Sequence, residues 1–272
     1  METIGFVGTG AMGTALLSRL RIARVSATAF DLDSDALKRA QALGAEPAAS
    51  AKAVAQRSTL IDVVVRTDQE VLDCTLGDAG IFEGASPGTL VLLHSTIRPT
   101  TTKQVAQAAA DKRVYVIDAC MTGVPTVARD GGLTFLVGGQ KALFNRAKPH
   151  LLRMGKDAVY MGPLGSGNVT KLIKNLVTAS EALIIYEAIQ IGKAAGIDYR
   201  AALELMKKTQ SEPFLNRWEN RFDLSGPELK SNSGANLYDK DLPLAADVGK
   251  ALGADIPVTE ELAELGIRLS GG

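Results

Sequence analysis

The opening residues constrain the chain most. The stretch "IGFVGTGAMG" sets an apolar, strand-like run directly before Gly8, Gly10 and Gly13 in a G-x-G-x-x-G pattern, and a helix-like run follows. A backbone that turns from strand to helix within a few residues needs glycine wherever a Cβ would collide. Gly8 suits the tight turn, Gly10 a backbone open to close approach, and Gly13 the packing of helix against strand. A turn of this kind belongs to a strand–helix–strand unit whose two strands run parallel.

The rest of the first 164 residues repeats that rhythm. "VSATAF", "TLIDVVV", "TLVLLHS", "RVYVID", "TFLVGG" and "DAVYMG" are strand-like, and helix-like or loop segments separate them. Such alternation predicts an α/β fold, a doubly wound Rossmann-type parallel sheet covered on both faces. From Gly165 onward the pattern changes to helix after helix, punctuated at Gly196, Pro213, Gly226, Pro227 and Pro257. The expected organisation is therefore a dinucleotide-binding domain over 1–164 and an all-helical domain over 165–272. The long helix of "GSGNVTKLIKNLVTASEALIIYEAIQIG" joins them; about 28 residues at ~1.5 Å each span about 40 Å.

Composition excludes several classes. Hydrophobic residues make up 46% and charged residues 22%, with 30 basic against 30 acidic side chains. That balance asks for neither nucleic acid nor a membrane surface. Cys74 and Cys120 lie far apart without metal-like spacing, and the start has no signal-like charge pattern, so a reduced, cytoplasmic protein is expected. Only two histidines exist, which leaves little material for a histidine-based triad or a metal site, and no metal is expected.

Two regions carry the chemistry. The free amides of the glycine turn, with Ala11 and Met12 inside it, suit a pyrophosphate at a helix N-terminus. Asp31, eighteen residues after Gly13, stands where a carboxylate would accept from the ribose hydroxyls of an adenosine. A carboxylate there repels a 2′-phosphate, which favours NAD over NADP; the plainer alternative makes Asp31 or Asp33 a helix N-cap. On the long helix, Lys171, Asn175 and Thr178 fall at spacings of four and three, on one face of an otherwise apolar segment.

In order, "GFVGTGAMG", "HSTIRP", "DACMTGVPTVARDGGLTFLVGG", "GSGNVTKLIKN" and "KDLPLA" resemble the β-hydroxyacid dehydrogenase family, across nearly the whole chain. The resemblance implies that Ser95 and Thr96 lie beside the nicotinamide end of the cofactor and that Lys240 lies near the cofactor. It implies that Thr122, Gly123 and Val124 shape the substrate pocket, with Val124 and Cys120 departing from the family's usual glycine and proline. Lys171 then corresponds to the catalytic lysine, a general acid/base for alcohol oxidation. Burial beside Leu172, Ile173, Leu176 and Val177 would bring its pKa down, and a nearby Lys240 would add to that. Asn175 would hold the substrate hydroxyl or carboxylate. Related decarboxylating enzymes carry a glutamate where this chain has Thr178, so oxidation or reduction without decarboxylation is expected. A small β-hydroxyacid interconverting with its semialdehyde or keto form is the implied substrate pair, in a homodimer or homotetramer. Two alternatives are an imine reductase, whose relatives typically lack the lysine and prefer NADPH, and a non-catalytic dinucleotide-binding module. Phe214, Trp218 and Tyr238 are candidates for the distal pocket wall.

Overall fold

The computed structural model describes residues 2–209, 222–223, 230–231 and 236–270; Phe214 and Trp218 lie outside the described residues. The chain divides into two compact units, Met1–Lys171 and Leu172–Gly272.

The first unit is an eight-stranded sheet. Its strands are β1 (Ile4–Val7), β2 (Ala27–Phe30), β3 (Glu46–Pro47), β4 (Leu60–Val63), β5 (Leu90–Leu93), β6 (Tyr115–Thr122), β7 (Thr134–Gly138) and β8 (Asp157–Gly162). The spatial order is β3-β2-β1-β4-β5-β6-β7-β8. Chain order reverses between β1 and β4, the place where ligands settle beyond the carboxyl ends of the strands in open sheets of this type. All neighbours pair parallel except β6 with β7. Alternation along each strand fills both faces. Phe6, Leu60, Leu92, Ile117 and Phe135 enter one core, and Val7, Ile61, Val63, Val91 and Leu93 the other. Truncating one of these, such as Leu92→Ala, is expected to cost about 2–5 kcal/mol.

Helices α1 (Ala11–Ile22), α2 (Ser34–Ala42), α3 (Ala51–Ala55), α4 (Asp68–Leu76), α5 (Pro99–Asp111), α6 (Pro125–Arg129) and α7 (Lys141–Met154) connect the strands. Polar side chains start three of them: Asp33, Ser50 and Thr67 accept from backbone amides at the head of α2, α3 and α4. The cap of α2 is thus Asp33, and Asp31 is left to another role.

The long helix α8 (Ser166–Ala194) runs 29 residues, and the division between the units falls inside it. Lys171 closes the first unit and Asn175 belongs to the second. The second unit continues with α9 (Tyr199–Thr209), a π-helical turn at Asn236–Asp241, α10 (Leu242–Ala251) and α11 (Pro257–Ser270). Its core is Ala179, Leu183, Ile189, Leu203, Leu242 and Ala263, and Tyr238 is buried within it. The expectation of an all-helical second half needs one amendment: β9 (Phe222–Asp223) and β10 (Lys230–Ser231) pair antiparallel. No helix among the described residues is long and apolar enough to cross a membrane.

Candidate functional site

The glycine turn is shaped by collisions that side chains would cause. Gly8 sits at φ +92°, and a Cβ there would meet the Val64 carbonyl. A Cβ on Gly13 would strike the Gly8 carbonyl oxygen, so α1 can lie against the turn only with glycine at that position. Gly10 is different: a Cβ there meets nothing within 4 Å. It caps α1 without any side-chain hydrogen bond, and the first amides of a helix have no partner within the helix. Ala11 is exposed beside it, and Met12 packs back onto the core.

Asp31 ends β2 and binds the turn. Its Oδ2 accepts from the Thr9 amide at 2.5 Å and the Thr9 hydroxyl at 3.3 Å, and its Oδ1 accepts from the Asp33 amide at 2.9 Å. One carboxylate therefore fixes the glycine turn relative to β2 while remaining half-exposed.

The strands β4, β5 and β6 deliver further groups at the same edge. Ser95 is buried; its Oγ donates to the Val65 carbonyl at 2.6 Å, which braces the loop after β4. Thr96, beside it, is half-buried. Asp68 ties that loop onward, accepting from the Arg98 amide at 3.0 Å and the Thr101 hydroxyl at 2.5 Å. Beyond Asp118, which pairs with the last residue of β5, β6 continues through Thr122 alongside β7. Thr122 Oγ1 donates to the Thr134 carbonyl at 3.3 Å. Gly123 sits at φ +135°, and Val124 is exposed at the head of α6. These three residues stand four to six positions past Asp118, the last β6 residue paired with β5, and are held by β7 and α6.

Two residues missed by the sequence reading set the start of α8. The fully buried Asp118 carboxylate accepts from the amides of Gly165 at 2.7 Å and Asn168 at 2.9 Å, with Gly167 also donating. Burial raises its pKa above the ordinary carboxylate value, while those backbone donors pull in the opposite direction. Gly167 is hemmed in on two sides, since a Cβ there would strike the Leu136 carbonyl oxygen and lie 2.7 Å from Asp118 Oδ2. Asn168 is fully buried; its Nδ2 donates to the Ser95 carbonyl at 3.1 Å, and its Oδ1 accepts from the Thr102 hydroxyl at 2.9 Å. Lys171, half-buried, follows by less than one turn. The signal for both residues was a lone polar group in an apolar or glycine-rich context, which must find partners when buried.

In the second unit Asn175 is buried and its Nδ2 donates to Asp241 Oδ2 at 2.6 Å. Lys240 Nζ pairs with Asp241 Oδ1 at 2.7 Å. Asp241, also missed, thus joins Asn175 to Lys240. The apolar walls expected around Lys171 are only partly present. Leu172 is buried, but Ile173 and Val177 are 58% and 53% exposed, because they lie on the face of α8 turned away from the second unit's core. Thr178 donates to the Lys174 carbonyl at 3.0 Å, within its own helix.

Comparison with known proteins adds to this geometry. Residues 3–162 match the family model described as the NAD binding domain of 6-phosphogluconate dehydrogenase. Residues 165–270 match the model described as NAD-binding of NADP-dependent 3-hydroxyisobutyrate dehydrogenase. The NAD-dependent L-serine dehydrogenase of Pseudomonas aeruginosa is 31% identical over 265 residues, covering 95% of this chain and 89% of that protein. A solved structure of Mycobacterium tuberculosis 3-hydroxyisobutyrate dehydrogenase with L-serine superposes with a TM-score of 0.86 at 25% identity, covering 100% of this chain and 94% of that one. An imine reductase from Myxococcus stipitatus, at 17% identity and a TM-score of 0.63, covers 98% of this chain and 92% of that one and shares the fold alone.

Proposed function

The chain belongs to the β-hydroxyacid dehydrogenase family and is an NAD(P)-dependent dehydrogenase acting on CH–OH groups, and from that premise we propose that it interconverts a small β-hydroxyacid and its semialdehyde or keto form, with Lys171 as the proton carrier. The carrying observation is the placement of Lys171: half-buried, just past the Asp118-capped start of α8 and one turn before Asn175. The bound nicotinamide supplies the hydride acceptor or donor. In the oxidation, the Lys171 amine takes the hydroxyl proton as the carbon loses hydride; in the reduction, the ammonium returns it. Asn175, its amide aimed by Asp241, is assigned to orienting the substrate, and the family resemblance assigns Thr122, Gly123 and Val124 of the first unit to substrate contact. The residue at 178 is threonine, which has no acidic proton to give an enediol, so decarboxylation is left out of the reading.

The turn fits a dinucleotide. The space beside Gly10, the uncapped amides of α1, Ala11 and Met12 suit the pyrophosphate, and the family resemblance assigns Ser95 and Thr96 to the nicotinamide half. Asp31 favours NAD, because its half-exposed carboxylate at the end of β2 suits ribose hydroxyls and repels a 2′-phosphate. Cys74 and Cys120, neither in a disulfide, accord with a reducing cytoplasm. The exposed apolar face of α8 at Ile173, Val177 and Ile184 favours a homodimer or homotetramer.

The test is a Lys171→Ala variant assayed against L-serine, 3-hydroxyisobutyrate, glycerate and bulkier β-hydroxyacids. Turnover is expected to fall at least about 100-fold, with NADH binding, followed by its fluorescence, retained. Near-normal turnover on any substrate of the panel refutes the role.

A further inference from the structure

Both histidines of the chain converge on one carboxylate. Asp62, at the centre of β4, is wholly buried; His94 Nε2 lies 2.8 Å from its Oδ1 and His150 Nε2 lies 2.7 Å from its Oδ2. His94 Nδ1 lies 2.7 Å from the Ala119 carbonyl oxygen. His94 follows β5, and Ala119 lies one residue past the last β5–β6 pair, so the imidazole extends the link between these strands after the ladder has ended. The ring is further held against Phe135, with centroids 5.6 Å apart.

Hydrogen counting fixes what this cluster must contain. A carbonyl oxygen only accepts, so His94 Nδ1 carries hydrogen. Each short contact between a ring nitrogen and Asp62 needs one more, which makes three hydrogens for one carboxyl group and two rings. An ionised aspartate with two neutral imidazoles holds two. The cluster therefore retains one additional proton and is neutral as a whole, the state in which burial costs least. Burial alone would raise the Asp62 pKa, but His150 and His94 override it and hold the carboxyl down at about 2. The extra proton accordingly belongs to a ring, and His94 is the ring with acceptors at both nitrogens.

We propose that Asp62, His94 and His150 form a proton-locked clamp that positions the Ser95–Thr96 turn against the Ala119–Thr122 strand for the dehydrogenation. The functional half of this rests on the proposed reading that those two segments flank cofactor and substrate. His94 is the positioning residue: its backbone leads directly into Ser95, and its ring grips Ala119, next to Asp118 and Cys120. His150 supplies the second donor to Asp62 from α7 and is expected with its proton on Nε2 and Nδ1 bare.

With two histidines in the chain, the ¹⁵N spectrum of the histidine-labelled, unmodified protein at pH 7.5 resolves the rings directly. One ring with both nitrogens protonated and one in the Nε2–H form is the expected result; two neutral rings overturn the clamp. Two variants test the positioning. His94→Gln keeps reach to Asp62 and gives up Ala119, while His94→Asn does the reverse. Each is expected to lower kcat about 10- to 100-fold with the NADH dissociation constant changed less than about threefold, about 0.65 kcal/mol; kcat within twofold of wild type in both overturns the positioning role. If neither variant folds, the same kcat test on His150→Gln, which keeps a donor to Asp62, against His150→Leu, which does not, decides it: the loss must appear in the leucine variant alone. Failure of Lys171→Ala to abolish turnover strikes the functional reading and leaves the ring spectrum untouched, so the two failures are distinguishable.

Discussion

Asn168→Ala tests the packing of α8 onto the sheet. The substitution strips the donor from the Ser95 carbonyl and the acceptor from the Thr102 hydroxyl, both fully or nearly fully buried. Each stranded buried group costs about 1–3 kcal/mol. The Ser95 carbonyl keeps a weak thiol donor, Cys120 Sγ at 3.4 Å, which places its share at the lower end. Together the loss is about 2–5 kcal/mol. Thr102→Val removes the stranded hydroxyl, so the double variant is expected to recover about 1–2 kcal/mol of it, a coupling within the range for contacting residues. Urea denaturation gives the free energies. Hydrogen exchange localises them: amides of residues 93–98 and 165–172 should exchange faster, and those of 242–268 should not. Loss below about 0.5 kcal/mol, or strict additivity in the double variant, refutes the claim that Asn168 is the pin between β5, α5 and α8.

Other expectations follow from the same geometry. Gly13→Ala forces a Cβ onto the Gly8 carbonyl, so NAD binding by titration should weaken at least about tenfold while the second unit's helicity is kept. The depressed Asp62 carboxyl contributes stability that is present above its unfolded value of 3.8 and lost as pH falls toward 2. The ¹³C carboxyl signal of Asp62 in the folded protein should therefore titrate well below that of an unfolded aspartate, and titration at the ordinary 3.8 would contradict it. On the proposed role of Asp31, Asp31→Ser should lower the ratio of kcat/KM with NAD to kcat/KM with NADP by about tenfold, and an unchanged ratio would remove Asp31 from cofactor discrimination.

The architecture was legible wherever it rests on local repetition. The glycine turn, the alternation of strands and helices, and α8 all follow from spacings within a few residues of one another, and each appears where the pattern puts it. What escaped rests on partners far apart in the chain. Asp118 and the amides it accepts from are 47 to 50 residues apart, and Asn175 and Asp241 are 66 apart. No periodicity encodes such pairs. The apolar residues around Lys171 misled for a related reason, since helical spacing says which residues share a face but not which face is covered, and Ile173 and Val177 lie on an open one. Asp62 inside "TLIDVVV" is an anomaly of the same kind as Asp118 and Asn168, a carboxylate at a position where a buried strand residue is expected.

The antiparallel pairing of β6 with β7 separates two parts of the first unit. Asp118 faces Gly138 across that ladder, and Gly138 in turn pairs with Gly162 just before α8 begins. The stretch from Ala119 to Val137 is therefore a closed excursion: the chain departs from and returns to one level. Residue pairs added to or removed from both arms would change how far Thr122–Val124 reach while leaving the origin of α8, and Lys171 with it, in place. The reach of Thr122–Val124 and the position of Lys171 are thus set by separate parts of the fold, the first by the hairpin arms and the second by the Asp118 junction.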